Sequence, residues 1–148
     1  MDDVKAQLQA ALKEAMTSKD NARRDVIRVL MSAFKQVEID SQKTLTPEDM
    51  VAVLQKEAKR RRESIDEAEK IGRTDIVDQE KYELGVIEAF LPKQLSREEI
   101  ETFARQAIAE TGVTSAKEMG KLMGALMPKV KGQADGKLVN EVVRELLK

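Results

Sequence analysis

Neither histidine nor cysteine occurs in the chain, so any chemistry must rest on carboxylates, lysines, hydroxyl groups or the phenol of Tyr82. Histidine titrates closest to neutrality and is the commonest acid–base group and metal ligand. Its absence moves the weight from catalysis towards binding. Lacking cysteine, the chain has no disulfides, thiolate metal sites or thiol nucleophiles. The carboxylates Asp78, Glu80, Glu83 and Glu88 do not follow the spacing of a calcium loop. A G-x-x-x-x-G-K-[ST] phosphate loop is missing too, so nucleotide hydrolysis has no support. No catalytic residue, metal site or cofactor is expected.

The remaining candidates gather between Lys117 and Asn140. Gly120 and Gly124 stand four residues apart inside a helical pattern, and a helical glycine costs about 1 kcal/mol relative to alanine. Two on one face need a compensating gain, which close approach of another backbone would supply. That backbone is either a neighbouring helix of the same small domain or a partner, such as a nucleic-acid strand. Lys117 and Lys121 lie one turn apart around the glycines, and Lys129 and Lys131 follow. The turn Lys131-Gly132-Gln133-Ala134-Asp135-Gly136 would present backbone amides at the start of the last helix, a place that suits an anion.

Charge supports a modest basic face and no more. Residues 113–148 hold seven basic and four acidic side chains, a net +3, whereas the whole chain has a net charge of -1. A near-neutral protein is a poor candidate for tight non-specific binding to nucleic acid, where affinity comes largely from phosphate neutralisation. A second group, Arg62, Ser64, Arg73 and Asp75, brackets the end of one helix and the start of the next. It reads either as a polar recognition patch or as capping and ion pairing. The run Lys59-Arg60-Arg61-Arg62 reads either as a basic contact for phosphate or as a solvated helix face surrounded by acids. Arg61 alone falls on an apolar stripe, so its stem should pack while its guanidinium meets a carboxylate of another helix.

The elements that must position these residues are helices. Charged residues make up 36% and aromatic ones 3% of the 148 residues, with three prolines and seven glycines, a helix-forming composition. Apolar spacing and capping signals predict seven helices and no strand. Thr46-Pro47 opens the third, Gly72 closes it, and Thr74 caps the fourth with Ile76, Leu84, Ile87 and Leu91 inward. Ser96 with Glu99 and Ser115 with Glu118 form capping-box patterns, the sixth helix should stop at Pro128, and Asp135 or Gly136 opens the seventh. The segment Leu91-Pro92-Lys93-Gln94-Leu95 divides the chain into domains 1–92 and 93–148. The fold class expected is all-α, an amino-terminal helical bundle plus a small carboxyl-terminal three-helix module. No run of apolar residues suits a transmembrane helix, so no membrane partner is expected. The acidic start Met1-Asp2-Asp3-Val4 does not read as a signal peptide, which makes a cytoplasmic protein the simplest expectation.

Read together, Leu91-Pro92-Lys93-Gln94-Leu95, Met119-Gly120-Lys121-Leu122-Met123-Gly124, Met127-Pro128-Lys129-Val130-Lys131-Gly132 and Ala134-Asp135-Gly136-Lys137-Leu138-Val139-Asn140 resemble the YqeY family. Lys59-Arg60-Arg61-Arg62-Glu63-Ser64 and Gly72-Arg73-Thr74-Asp75-Ile76 resemble its long-helix signature. This family is similar to the tail of GatB, the B subunit of the tRNA-dependent amidotransferase. The resemblance implies a tRNA-associated module without chemistry of its own. Gly120, Lys121, Gly124, Lys131, Gly132 and Asn140 would then be contacts to tRNA or supports for them. Gln133 stands where the family turn commonly has a second lysine. Two alternatives remain beside the tRNA adaptor. One is an accessory part of an amidotransferase; the other is a protein-interaction module whose glycine face receives a partner's helix.

Overall fold

In the computed structural model, which describes residues 3–148, Asp3 caps the first helix by accepting a hydrogen bond from the Lys5 N–H at 3.0 Å. Met1 and Asp2 of the acidic start lie outside the described residues. Helix α1 spans Val4–Thr17 and α2 spans Asn21–Ser41, the latter capped by Asp20, which accepts from the Arg23 N–H at 3.1 Å. At the start of α3 (Pro47–Lys70), Thr46 and Asp49 bond each other's backbone N–H at 3.1 and 3.0 Å. This reciprocal cap satisfies two donors that a helix start otherwise leaves open. The same device, Ser96 with Glu99, opens α5 (Arg97–Thr111). After α4 (Thr74–Glu88) and α5 come one 3-10 turn (Ala116–Glu118), α6 (Met119–Val130) and α7 (Gly136–Leu146). The described residues are all-helical, with seven α-helices and no strand.

The chain divides into a unit that ends at Leu91 and a second unit, Pro92–Lys148. In the first, α1 to α4 enclose a core in which Leu8, Ile27, Leu30, Leu54, Ala58 and Ile87 are fully buried. Further along the α3–α4 hairpin, Ile65, Ala68 and Val77 form a separate, smaller core. Between the two cores lies an ionic layer. Arg61 pairs with Glu57 one turn back on α3, and reaches Glu83 at 3.6 Å and Glu80 at 4.0 Å on α4. Glu57, only 8% exposed, is also met by Arg60 at 3.3 Å. Arg61 therefore packs and pairs as its place on the apolar stripe predicts. The second unit closes around Ile100, Ala104 and Ala107 of α5, Leu122, Leu126 and Val130 of α6, and Val139, Val142 and Val143 of α7.

Several expectations about boundaries need correction. Gly72 closes α3 as expected, taking the left-handed conformation at φ +69° just beyond the last helical residue, Lys70; the others differ. Thr74 is the first helical residue of α4; Arg73 precedes it and makes no side-chain cap. The buried residues of α4 are Val77, Val86 and Ile87, with Ile76, Leu84 and Leu91 only half-buried. Ser115 leads into the 3-10 turn without a side-chain cap, and Glu118 lies 3.5 Å from the Thr114 hydroxyl instead. Pro128 does not stop α6, which runs through it to Val130. Leu122, Leu126 and Val130, one turn apart and fully buried, hold the helix past the missing bond.

Candidate functional site

Helix α6 turns Leu122, Leu126 and Val130 into the core of its unit, which leaves the opposite side to solvent. On that side Gly120, Lys121, Gly124, Pro128 and Lys131 are all exposed, and Lys117 of the preceding turn is exposed with them. A Cβ built on Gly120 or Gly124 would meet nothing within 4 Å. The glycines therefore do not serve packing inside their own unit, which was one of the two readings of their spacing. Met119, Met123 and Met127, four residues apart, are half-buried against the core beside this strip.

The four lysine candidates separate into two kinds. Lys129 donates to the Glu110 carboxylate of α5 at 2.8 Å, so its charge is already met. Lys117, Lys121 and Lys131 have no ion pair among the described residues. Lysines left unpaired around a strip without side chains can meet an anionic group and let a backbone come close.

The turn between α6 and α7 does something other than cradle an anion. Gly132 takes φ +79°, the left-handed conformation that favours glycine, and its carbonyl accepts from the Gln94 side-chain amide at 3.0 Å. The same amide donates to the Pro92 carbonyl at 2.8 Å, and the Leu95 N–H donates to the Gln133 carbonyl at 2.7 Å. The Gln133 N–H turns back to Val130 at 2.9 Å, and the Asp135 carboxylate accepts from the Lys137 N–H at 3.3 Å. The acid that caps α7 occupies the place an anion would take. Pro92–Leu95 and the glycine turn, far apart in sequence, are thus two halves of one clasp. Its sequence signal was an amide side chain in the boundary segment, which spacing alone does not interpret.

Asn140 is half-buried on α7, and its Oδ1 is enclosed without a hydrogen-bond partner. It does not share the exposed α6 face. In the other unit, Arg62 reaches Glu88 near the end of α4 at 3.5 Å. Arg73 pairs with Asp75 at the start of α4 through two bonds of 3.1 and 3.0 Å. The Arg73 guanidinium holds the Asp75 carboxyl below its ordinary range, and the carboxylate in turn raises Arg73. Among the described residues no ion pair joins these two pairs to each other, and Ser64 is half-buried, so of the four residues only Arg73 and Asp75 pair together, while Arg62 bridges α3 to Glu88 of α4. Among the described residues no group of three or more acids could hold a metal ion. No helix among them is long and apolar enough to cross a membrane.

The arrangement is that of a helical, two-unit protein with an open, lysine-flanked glycine face. The family described as Yqey-like protein matches residues 5–147, and the chain belongs to it. It is 39% identical over 90 residues to Altered inheritance of mitochondria protein 41, mitochondrial, of Eremothecium gossypii, covering 60% of this chain and 49% of that protein. With the protein of the same name in Pyrenophora tritici-repentis, identity is 28% over 145 residues, covering 95% and 78%. It is also 44% identical over 61 residues to a Glutamyl-tRNA(Gln) amidotransferase subunit of Methanocaldococcus jannaschii, covering 38% of this chain and 10% of that one. The matched part spans about half of the Eremothecium relative. The expectation of a cytoplasmic protein does not stand, because these fungal relatives are named as mitochondrial. Composition and the acidic start of the chain carry no information on that compartment.

Proposed function

We propose that this protein is an RNA-binding adaptor without a catalytic centre of its own, and that the α6 face of its carboxyl-terminal unit holds a tRNA backbone. The observation that carries the reading is the open strip at Gly120 and Gly124 edged by Lys117, Lys121 and Lys131, exposed and unpaired. Phosphates would meet the lysines while the bare helix admits the sugar–phosphate chain. With lysines rather than arginine forks on this face, recognition follows RNA shape rather than base edges. The likeness to an amidotransferase subunit whose name includes a tRNA supports the choice of RNA. In this reading residues 1–92 and 93–148 are separate domains, and the second carries the face.

The test is fluorescence anisotropy of labelled bulk tRNA at low and physiological salt, with the Lys121→Glu/Lys131→Glu variant in parallel. Expected is saturable binding in the micromolar range or weaker, lost with salt at a slope of roughly one per phosphate neutralised and lost in the variant. No binding at about 100 μM protein in low salt, beyond ordinary non-specific affinities, would reject the proposal. The second reading, a partner protein's helix on the same strip, is favoured by Met119, Met123 and Met127 along its edge, since methionine suits adaptable surfaces. A protein partner that survives RNase treatment and is lost in a Met123→Lys variant would establish it.

A further inference from the structure

The three helices of the carboxyl-terminal unit do not meet equally. Helix α5 lies close along both α6 and α7, whereas the backbones of α6 and α7 hardly come within 8 Å of each other. Two ion pairs mark the flanks that face α5: Lys129 of α6 with Glu110, and Glu145 of α7 with Arg97. At 3.6 residues per turn, Met123 and Met127 fall on the opposite flank of α6, and Asn140 and Leu147 on the opposite flank of α7. These four residues therefore line the α6–α7 seam. All four are half-buried, so each has its inner side on the core and its outer side open along the seam.

The rims of the seam carry one sign of charge. Lys131 stands at the end of α6, and Lys137 and Arg144 stand beside Asn140 on α7. All three are exposed and have no ion pair among the described residues. Glu141 lies further round α7, away from the seam. Methionine and leucine walls suit apolar side chains, and methionine adapts its shape to them; a sugar–phosphate chain offers no such face. A second copy does not fit either. Among the described residues α2 is the one helix with several large apolar side chains exposed, Val29, Val37 and Ile39, and Arg28 and Lys35 stand exposed among them, which the seam's cations would repel. Helices α6 and α7 run twelve and eleven residues, about 16–18 Å, or three turns of a bound helix. Going beyond the RNA-binding reading and independent of it, we infer that the α6–α7 seam docks an amphipathic helix of a partner protein, apolar towards the methionines and acidic towards Lys131, Lys137 and Arg144.

The probe is a synthetic helical peptide of about four turns, leucine on one face and glutamate on the other. It is titrated into the full chain, isotope-labelled at its methionine methyl groups and followed by NMR. Met123 and Met127 should shift saturably while Met16, Met31 and Met50 of the other unit stay in place. The same peptide with lysine for glutamate should bind at least about tenfold more weakly. Lys137→Glu/Arg144→Glu, at two exposed positions that the fold does not depend on, should weaken the acidic peptide about tenfold through two lost ion pairs. No shift at Met123 and Met127, shifts confined to the other unit, equal binding of the two peptides, or binding untouched by the double variant overturns the inference. Movement of these two methyl groups by tRNA and not by the peptide also overturns it and assigns the seam to RNA. The tRNA reading stands or falls separately, by anisotropy with the Lys121→Glu/Lys131→Glu variant.

Discussion

Replacing Gly124 by alanine should make the protein more stable and worse at its task. Gly124 sits mid-way along α6 at a negative φ, and an added Cβ finds no neighbour within 4 Å. The substitution therefore gains the helix-propensity difference of about 1 kcal/mol, much of it from a less flexible unfolded chain. Gly120, the second residue of the helix, should gain rather less, so the double variant is expected to gain about 1–2 kcal/mol. For a protein of this size each kcal/mol raises Tm by about 2–4 °C. The methyl groups would meanwhile obstruct any backbone seated on the strip. An overpacked contact costs about 1–3 kcal/mol, or roughly five- to 150-fold in Kd. Thermal melting followed by circular dichroism and anisotropy with labelled tRNA measure the two effects on one preparation. A lower Tm would refute the open geometry, and undiminished binding with a raised Tm would refute the assignment of the face. Gly112→Ala serves as the opposite control, because its φ of +71° strains any residue with a Cβ.

Four other substitutions test the interior and one ion pair. Arg61→Leu should cost about 3 kcal/mol in urea unfolding, since it leaves the enclosed Glu57 together with Glu80 and Glu83 without their shared cation; adding Glu57→Leu should recover part of the loss, and a neutral single variant would contradict the ionic layer. Asn140→Leu should gain about 1 kcal/mol by removing an enclosed acceptor that lacks a partner, and a loss of stability would show that Oδ1 is satisfied. The Arg73 guanidinium lowers the Asp75 pKa, so the unfolded residue takes up its proton at a higher pH than the folded one. The pair's contribution is complete above the unfolded value of about 3.9 and is lost as pH falls through the lower, folded one. An NMR titration should find Asp75 below the ordinary range and Arg73→Gln should return it upward; an unmoved midpoint would refute the pairing.

What could be read before folding was whatever depends on near neighbours in sequence. The caps at Thr46 and Ser96 and the left-handed stop at Gly72 are contacts within four residues, and residue type there decides the outcome. Arg61 was legible for a related reason: its register on α3 already placed it among apolar neighbours. Pro128 was misleading because the local rule against proline in a helix ignores three leucine and valine side chains held in the core one turn apart. Lys129 looked equivalent to Lys121 until Glu110, nineteen residues away, took its charge. The clasp between Gln94 and Gly132 spans thirty-eight residues, a distance at which spacing is silent. For the candidate strip, the spacing of Gly120, Gly124 and the lysines drew attention to it, and only the fold distinguished open glycines from packed ones.

The ionic layer at Arg61 has a consequence for how the first unit moves. It lies between a core built by all four helices and a smaller one of Ile65, Ala68 and Val77, joined by half-buried Ile76 and Leu84, to which α1 and α2 contribute no buried residue. Apolar contact holds the outer hairpin weakly, while Ile71 near its turn is 69% exposed. Segments with few buried contacts open below the global unfolding free energy and act as their own cooperative unit. The outer ends of α3 and α4 should therefore exchange their amide hydrogens earlier and together, as one zip, while Leu54 and Ile87 stay protected. Arg61 would be the catch at which that opening stops.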